Sequence, residues 1–391
     1  MPDHGSSPAA PPVHAAQPAA THAHTHTHVS AVPTALTSKL GPVRRPVDHE
    51  SLALLIAVIA FALGAVAATI MYWGRQLPID GRDSLGDFTG LVAAVASAVA
   101  FGATRLIAHR NLRLRSADSE IPGIHWFDFV ALSLAHGAIA LLAWIGIATI
   151  MAHSFTGAIV FTTPAILLTA GATALSAYVS SISASAISPR QLSLVLAVFL
   201  VVGMVAAMLS SADPQWWKLN LSALGITHDI SALAFNITLI LSGVIITTIA
   251  RLGTASLPDQ TPRDRRHRIT VRTLFVLLGI LLGCVGVFPV SDFLLIHNTV
   301  ATGMTVAFAA LVFGLPTLIP TMPRLFVALG FSFVAAIILL ALLFAFGIYN
   351  LTAVELVSAL LIFTWIILFL RNVETIGRHH EASHHHVPAN A

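Results

Sequence analysis

The sequence has few charged residues. Asp, Glu, Lys and Arg make up 9% of its 391 residues, whereas an average soluble domain contains about 25%. The apolar set AVILMFWYC reaches 56%, and the mean hydropathy is +0.85. A soluble fold with so little charge would expose enough apolar area to drive association. The composition therefore excludes an ordinary soluble protein and predicts one that is solvated by lipid.

Cysteine and the common catalytic motifs are scarce or absent as well. The single cysteine, Cys284, lies in an apolar run, which excludes an intrachain disulfide and a cysteine-based metal site. The chain has no HExxH, GxSxG, SxxK or aspartate-rich motif. The sequence therefore assigns no catalytic residue, indicates no cofactor, and favours a non-enzymatic protein without excluding an enzyme.

The hydropathy divides the chain into segments of the length that a helix needs to cross about 30 Å of hydrocarbon. We predict an all-α bundle of ten transmembrane helices, organised as a four-helix region (51–185) followed by a six-helix region (192–371). The predicted spans are 51–73, 86–108, 126–152, 158–181, 192–210, 226–250, 271–290, 296–320, 324–347 and 353–371.

The arginines predict the orientation of these spans. They concentrate before the first span and after the second, fourth, sixth, eighth and tenth spans, with the largest group at Arg263–Arg272. The opposite loops hold only Arg75, Arg82 and Lys218. Basic residues accumulate on the cytoplasmic side of membrane proteins. We therefore expect a protein of the cell membrane with both termini on the cytoplasmic side.

Two polar tails flank the predicted spans. Residues 1–50 are rich in Pro, Ala, Ser, Thr and His and have no apolar periodicity, so we predict a disordered cytoplasmic tail. Residues 372–391 form a second His-rich cytoplasmic tail. Imidazoles at this density bind divalent metals adventitiously in a flexible chain. The basic stretch near Arg263 predicts contact with anionic membrane lipids rather than with nucleic acid.

Ionisable and amide side chains inside the spans are candidates for function, because the bilayer makes them costly. His136 lies near the middle of the third predicted span, and Asn236 lies halfway along the sixth. Either side chain could instead hydrogen-bond to a neighbouring helix, which contributes about 1 kcal/mol. Both readings stay open on the sequence alone.

The predicted outer face collects an unusual share of the remaining polar residues. Among them, Asp229 opens the sixth span, and Asp292 and His297 flank the turn into the eighth. Three explanations compete: interfacial solvation, a divalent-metal or acid–base site, and a pocket that opens outward. The face comprises seven carboxylates and three histidines, namely Asp80, Asp83, Asp87, Asp213, Asp229, Asp292, Glu355, His153, His228 and His297.

Short motifs in the second half resemble a known family. A Leu224-Gly225 step precedes a helix with Phe235-Asn236 and Gly243, and Gly286-Val-Phe-Pro289 is followed by His297. These positions resemble the six-helix prokaryotic membrane family called "domain of unknown function 998", over roughly 192–371. The resemblance implies a six-helix bundle but no activity.

The leading hypothesis is a multi-pass membrane protein that binds a lipid headgroup or small solute in an outward-facing polar pocket. The predicted ligand-binding residues are His136, Asp229, Asn236, Asp292 and His297. The alternatives are a proton-coupled secondary transporter, which would depend on His136, and an intramembrane enzyme that uses Asp and His. The sequence predicts membrane lipids as partners and indicates neither a metal ligand set nor an oligomeric state.

Overall fold

The structure, a computed structural model, describes residues 49–115, 126–185, 187–226, 229–255, 257 and 259–385. Within these ranges, ten helices are long and apolar enough to cross a membrane, which confirms the all-α prediction and identifies a multi-pass membrane protein. The helices are α1 His49–Tyr72, α2 Leu85–Arg115, α3 Trp126–Ser154, α4 Thr162–Ser185, α5 Pro189–Leu209, α6 Ile230–Gly253, α7 Pro262–Val287, α8 Leu294–Leu318, α9 Arg324–Ala345 and α10 Leu351–His385. The predicted N-terminal tail and His228 lie outside the described residues.

The helices alternate in direction and give the bundle two chemically different ends. At the arginine-rich end, Asp128 at the start of α3 forms an ion pair with Arg251 at the end of α6. At the acidic end, the two-residue strands β1 (Leu77–Pro78) and β2 (Ile159–Val160) pair antiparallel. Another contact at this end joins Glu355 of α10 to the backbone N–H of Leu221, at 2.5 Å.

The helices α7 and α10 extend well beyond the spans that the hydropathy predicts, and α2 continues past its predicted span to Arg115. The helix α7 begins at Pro262, so the basic stretch that the sequence treats as a loop forms its first turns. Thr261 caps these turns, because its hydroxyl accepts the N–H of Asp264 while the Asp264 carboxylate accepts the N–H of Thr261. The helix α10 continues past the predicted span to His385.

The helices α5 to α10 form a closed six-helix ring. Each helix packs against the next one along the chain, and α10 returns to pack against α5. Trp365 of α10 fills the centre, with its ring centroid 5.3–6.3 Å from those of four phenylalanines: Phe275, Phe308, Phe326 and Phe369. The helices α6 and α7 meet at Gly243 and Gly279, where an added Cβ would collide with the facing backbone.

The helices α1 to α4 form an open four-helix row in the spatial order α1, α4, α2, α3. Hydroxyl pairs join α2 to α4: Thr89 with Thr169 at 2.7 Å, Ser97 with Ser180 at 2.5 Å, and Thr104 with Ser181 at 2.6 Å. The row meets the ring mainly through α3, which packs against α5 and α6. The helix α3 packs on α5 while α4 packs on α1 and α2, and a space is left between α4 and α5.

Candidate functional site

A cleft of about 470 Å³ occupies the space between α4 and α5, with α3 as its floor. Only three residue positions separate the end of α4 at Ser185 from the start of α5 at Pro189, which holds the two helices together at the arginine-rich end. Towards the acidic end α4 packs on α1 and α2 while α5 packs on α6 and α10, and α5 contributes no residue to the cavity that borders α4 there. The cleft is therefore a wedge that is closed at the α4–α5 connection.

Three polar side chains meet near the closed end of this wedge. The His136 Nε2 lies 2.8 Å from the Ser183 Oγ of α4. The Gln191 amide of α5 donates to the Ser183 carbonyl oxygen at 2.8 Å and to the Ser183 Oγ at 3.4 Å. We call His136, Ser183 and Gln191 the polar apex. It links all three walls of the cleft through one hydrogen-bonded chain.

The partners of His136 fix the position of its proton. The Nδ1 lies 2.8 Å from the Leu132 carbonyl oxygen, which can only accept, so Nδ1 carries the hydrogen. In the neutral ring, Nε2 is then the acceptor and the Ser183 hydroxyl donates to it. Phe101 stacks on the imidazole, with the ring centroids 4.4 Å apart. The ring is thus held in one orientation, with Nε2 directed at α4.

The remaining lining of the cleft is apolar apart from a few uncharged groups. The Trp144 indole N–H donates to the Ser176 Oγ at 2.9 Å, about halfway along the cleft. Ser97 and Ser180 bond to each other, and Ser97 also donates to the His136 carbonyl oxygen at 2.9 Å. No Asp, Glu, Lys or Arg is among the lining residues that the structure describes.

The rim of the cleft faces the region where lipid would lie. Five large apolar side chains on the rim are 41–63% exposed: Ile147, Leu175, Val179, Leu194 and Val198. They lie on helices that are long and apolar enough to span a membrane. The opening is therefore lateral, towards the hydrocarbon, rather than towards the water at either end of the bundle.

A second cavity of about 300 Å³ extends the cleft along α3 and α4. The two cavities share Trp144, Ile147 and Leu175, so they adjoin along α3 and α4, and we refer to them together as the groove. The extension reaches Leu167 on α4 and Ile79 near the acidic end. Gly171 of α4 borders it, and a Cβ added there would meet no atom within 4 Å. The groove thus has unfilled width along most of α4.

Two other cavities lack this combination of features. One, of about 410 Å³, lies on the opposite side of α3 and is lined by Ala, Val, Leu, Ile and Gly residues, with no side chain that can hydrogen-bond. Another, of about 330 Å³, lies between α7 and α8 at the arginine-rich end. Its Arg268 pairs with Asp259, and its Asp264 caps α7. We therefore take the groove at α3–α5 as the candidate site.

Two of the predicted ligand-binding residues contact one buried turn at the acidic end, Leu221–Gly225, and a third caps the helix that follows it. The His297 Nε2 lies 3.0 Å from the Ser222 Oγ, and its Nδ1 lies 2.7 Å from the Phe288 carbonyl oxygen. The Asn236 amide donates to the Gly225 carbonyl oxygen at 3.3 Å. Asp229 caps α6, where its carboxylate accepts the N–H of Ala232 at 3.0 Å. These contacts hold the α5–α6 connection in place.

The structure places the other two predicted residues elsewhere. Asp292 is exposed in the turn between α7 and α8. His136 lies in the polar apex, with its hydrogen bonds to α3 and α4 rather than to the Leu221–Gly225 turn. The outward-facing pocket built from Asp229, Asn236, Asp292 and His297 stays a prediction.

The sequence reasoning missed the serine and glutamine of the polar apex. Ser183 and Gln191 flank the α4–α5 connection, and serines at the end of a transmembrane helix ordinarily indicate close contact with another helix. That interpretation fits Ser180 and Ser181, which bond to α2. The sequence signal was that α4 carries more serines than its contact with α2 uses, because Ser176 and Ser183 face the cleft.

Neither metal ligation nor similarity to known proteins adds a residue to the site. In the part of the chain that the structure describes, no three His, Cys, Asp or Glu side chains are grouped so that they could hold a metal ion. No family model matches the chain, and neither the curated proteins nor the solved structures contain a match. The geometry of the groove therefore carries the functional argument.

Proposed function

We propose that this chain binds a membrane amphiphile, which enters the groove at α3–α5 sideways from the bilayer. The single observation that carries the proposal is the position of the polar apex in a cleft whose open side is lipid-facing. A molecule with one polar group and an apolar body matches that arrangement, because ligand sites are mostly apolar with a few convergent polar groups. The volume of about 470 Å³ is also in the usual range for such sites.

The proposal includes the orientation of the chain in the membrane and its relationship to a known family. The concentration of arginines supports a cytoplasmic location for the arginine-rich end, with both termini on that side of the cell membrane. The polar apex would then lie nearer the cytoplasmic leaflet, since Ser183 and Gln191 are close to the helix ends there. The six-helix ring covers the segment that resembles the domain of unknown function 998, and we propose a relationship on that basis.

Photocrosslinking of the full chain in lipid nanodiscs tests the proposal. A phospholipid with a diazirine in its acyl chain should label the groove, and an excess of unlabelled bilayer lipid extract should suppress that labelling. Peptides of α1 that contain Val58 and Leu63, which are 67% and 65% exposed, report ordinary contact with the bilayer. The proposal would be overturned if the competitor reduced labelling of the groove no more than it reduced labelling of α1.

A groove-filling variant provides a matched control. Ala143→Leu adds volume inside the cleft, whereas Ala62→Leu adds the same volume to an exposed position on α1. We expect Ala143→Leu to reduce the competable labelling severalfold and Ala62→Leu to leave it unchanged. Equal effects of both variants would show that the labelled lipid is not bound in the cleft.

A further inference from the structure

We infer that the groove selects amphiphiles with an uncharged head that carries hydroxyl or carbonyl oxygens, with the chain running along α4 towards the acidic end. The inference rests on the proposed function and names the class of its ligand. It depends on three properties of the groove: the absence of charge in its lining, the hydrogen-bonding capacity of the polar apex, and its direction relative to α4.

The lining of the groove disfavours a charged head. Neither of the two adjoining cavities is lined by Asp, Glu, Lys or Arg among the described residues. Arg190 is adjacent to Gln191 in sequence but is exposed and is not part of the lining. A phosphate or ammonium in such a site would lose its hydration without gaining an opposite charge, which is costly.

The polar apex suits a neutral head that can both donate and accept. The Gln191 side chain has an amide N–H2 and a carbonyl oxygen, and the Ser183 hydroxyl can exchange its His136 partner for a ligand oxygen. The chain of an amphiphile leaves lipid, not water, when it enters the groove, so burial of apolar area contributes little to affinity. Hydrogen bonds at the apex therefore determine which amphiphile is preferred.

The shape of the groove sets the direction of the chain. The α4–α5 connection closes the groove beyond the polar apex, so a chain attached to a head at Ser183 can only run towards Leu175 and Leu167. Leu167 lies 16 positions before Ser183, which corresponds to about 24 Å along a helix. A chain that spans one leaflet, about 15 Å or half of the hydrocarbon core, would fit within that distance. It would pass the open space at Gly171.

Two matched probes test the selection of the head. One is a monoacylglycerol with a diazirine at the end of its chain, and the other is the lysophosphatidate with the same chain, so that only the phosphate differs. For the full-length protein in nanodiscs, we expect at least about tenfold stronger competable labelling of the groove by the monoacylglycerol. That ratio corresponds to about 1.4 kcal/mol. We expect the labelled peptides to come from the Leu167 side of α4.

Variants of the polar apex then test whether the head group of the ligand binds there. Ser183→Ala should reduce labelling by the monoacylglycerol about fivefold, whereas Ser181→Ala should not, since Ser181 bonds to Thr104 away from the cleft. Gln191→Lys places an ammonium at the apex and should shift the preference towards the lysophosphatidate. An unchanged preference in Gln191→Lys would contradict the assignment of the head to the apex.

The outcomes distinguish this inference from the proposed function. Equal, competable labelling by both probes would overturn the selection for a neutral head and leave amphiphile binding intact. Competable labelling near Ser183 by the chain-end diazirine would reverse the direction of the chain. Labelling that no competitor suppresses, with either probe, would refute both the inference and the proposed function.

Discussion

The four-helix row and the six-helix ring are stabilised by different kinds of contact. In the ring, aromatic side chains pack around Trp365, and α6 and α7 approach at Gly243 and Gly279. In the row, paired hydroxyls such as Ser97 with Ser180 join α2 to α4, and the side chains between them are small. The ring is closed and filled, whereas the row is open along one side.

This difference explains where the groove lies. In the closed ring each helix has a neighbour on two sides, and Trp365 with its four phenylalanines fills the centre. An open row leaves α4 without a direct partner on the side that faces α5, and its hydroxyls supply polar groups there without charge. The groove therefore forms at the junction of the two regions, with one wall from each and α3 between them.

The largest expected effect comes from the centre of the ring. Trp365→Ala removes a fully buried indole that contacts four phenylalanines, and we expect it to lower the free energy of unfolding by about 3–5 kcal/mol. Trp126→Ala is the control, because that side chain is 76% exposed. Denaturant unfolding in mixed micelles measures both changes. Similar losses for the two variants would refute the aromatic centre of the ring.

An intermediate effect is expected at the contact between the regions. Asp128→Asn leaves the partly buried Arg251 guanidinium without its carboxylate, which should cost about 1–3 kcal/mol of stability. Arg251→Met should cost a similar amount, and the double variant should cost less than the sum of the two. A double-mutant cycle on the free energy of unfolding measures this coupling. Additive losses would show that the ion pair does not stabilise the junction.

The smallest effect is expected in the row itself. Ser181→Ala and Thr104→Val each remove one hydroxyl of a buried pair, and we expect each to cost about 0.6 kcal/mol, the average for hydrogen bonds between membrane helices. The double variant should cost little more than either single change. A loss above the cost of Asp128→Asn would reverse the expected order of the junction and the row.

The ten helices were predictable from the sequence because each span is a long apolar run, which depends on local composition alone. The start of α7 was not recognised, since Arg263 to Arg272 lower its hydropathy. Thr261, Pro262 and Asp264 form a recognisable start signal, so helix capping would have corrected that boundary. Hydropathy thus finds the part of a helix that lies in lipid, not its full length.

The candidate site was predictable only in part. His136 was identified because an ionisable residue is costly in a span, and it does lie in the polar apex. Ser183 and Gln191 were not identified, because serine and glutamine near helix ends are common and their meaning depends on which helices are neighbours. That packing order, with α4 beside α2 and α1 rather than beside α5, cannot be read from apolar periodicity.

The short connection between α4 and α5 has a mechanical consequence. Ser188 caps α5 and Gln191 bonds back to Ser183, so the two helices are fixed to each other at one point. Further along, α4 packs on α1 and α2, whereas α5 packs on α3, α6 and α10. Because the two helices are joined at one end only, a molecule inserted between them would change the angle between their axes. We expect spin labels at the far ends of α4 and α5 to report that angle directly.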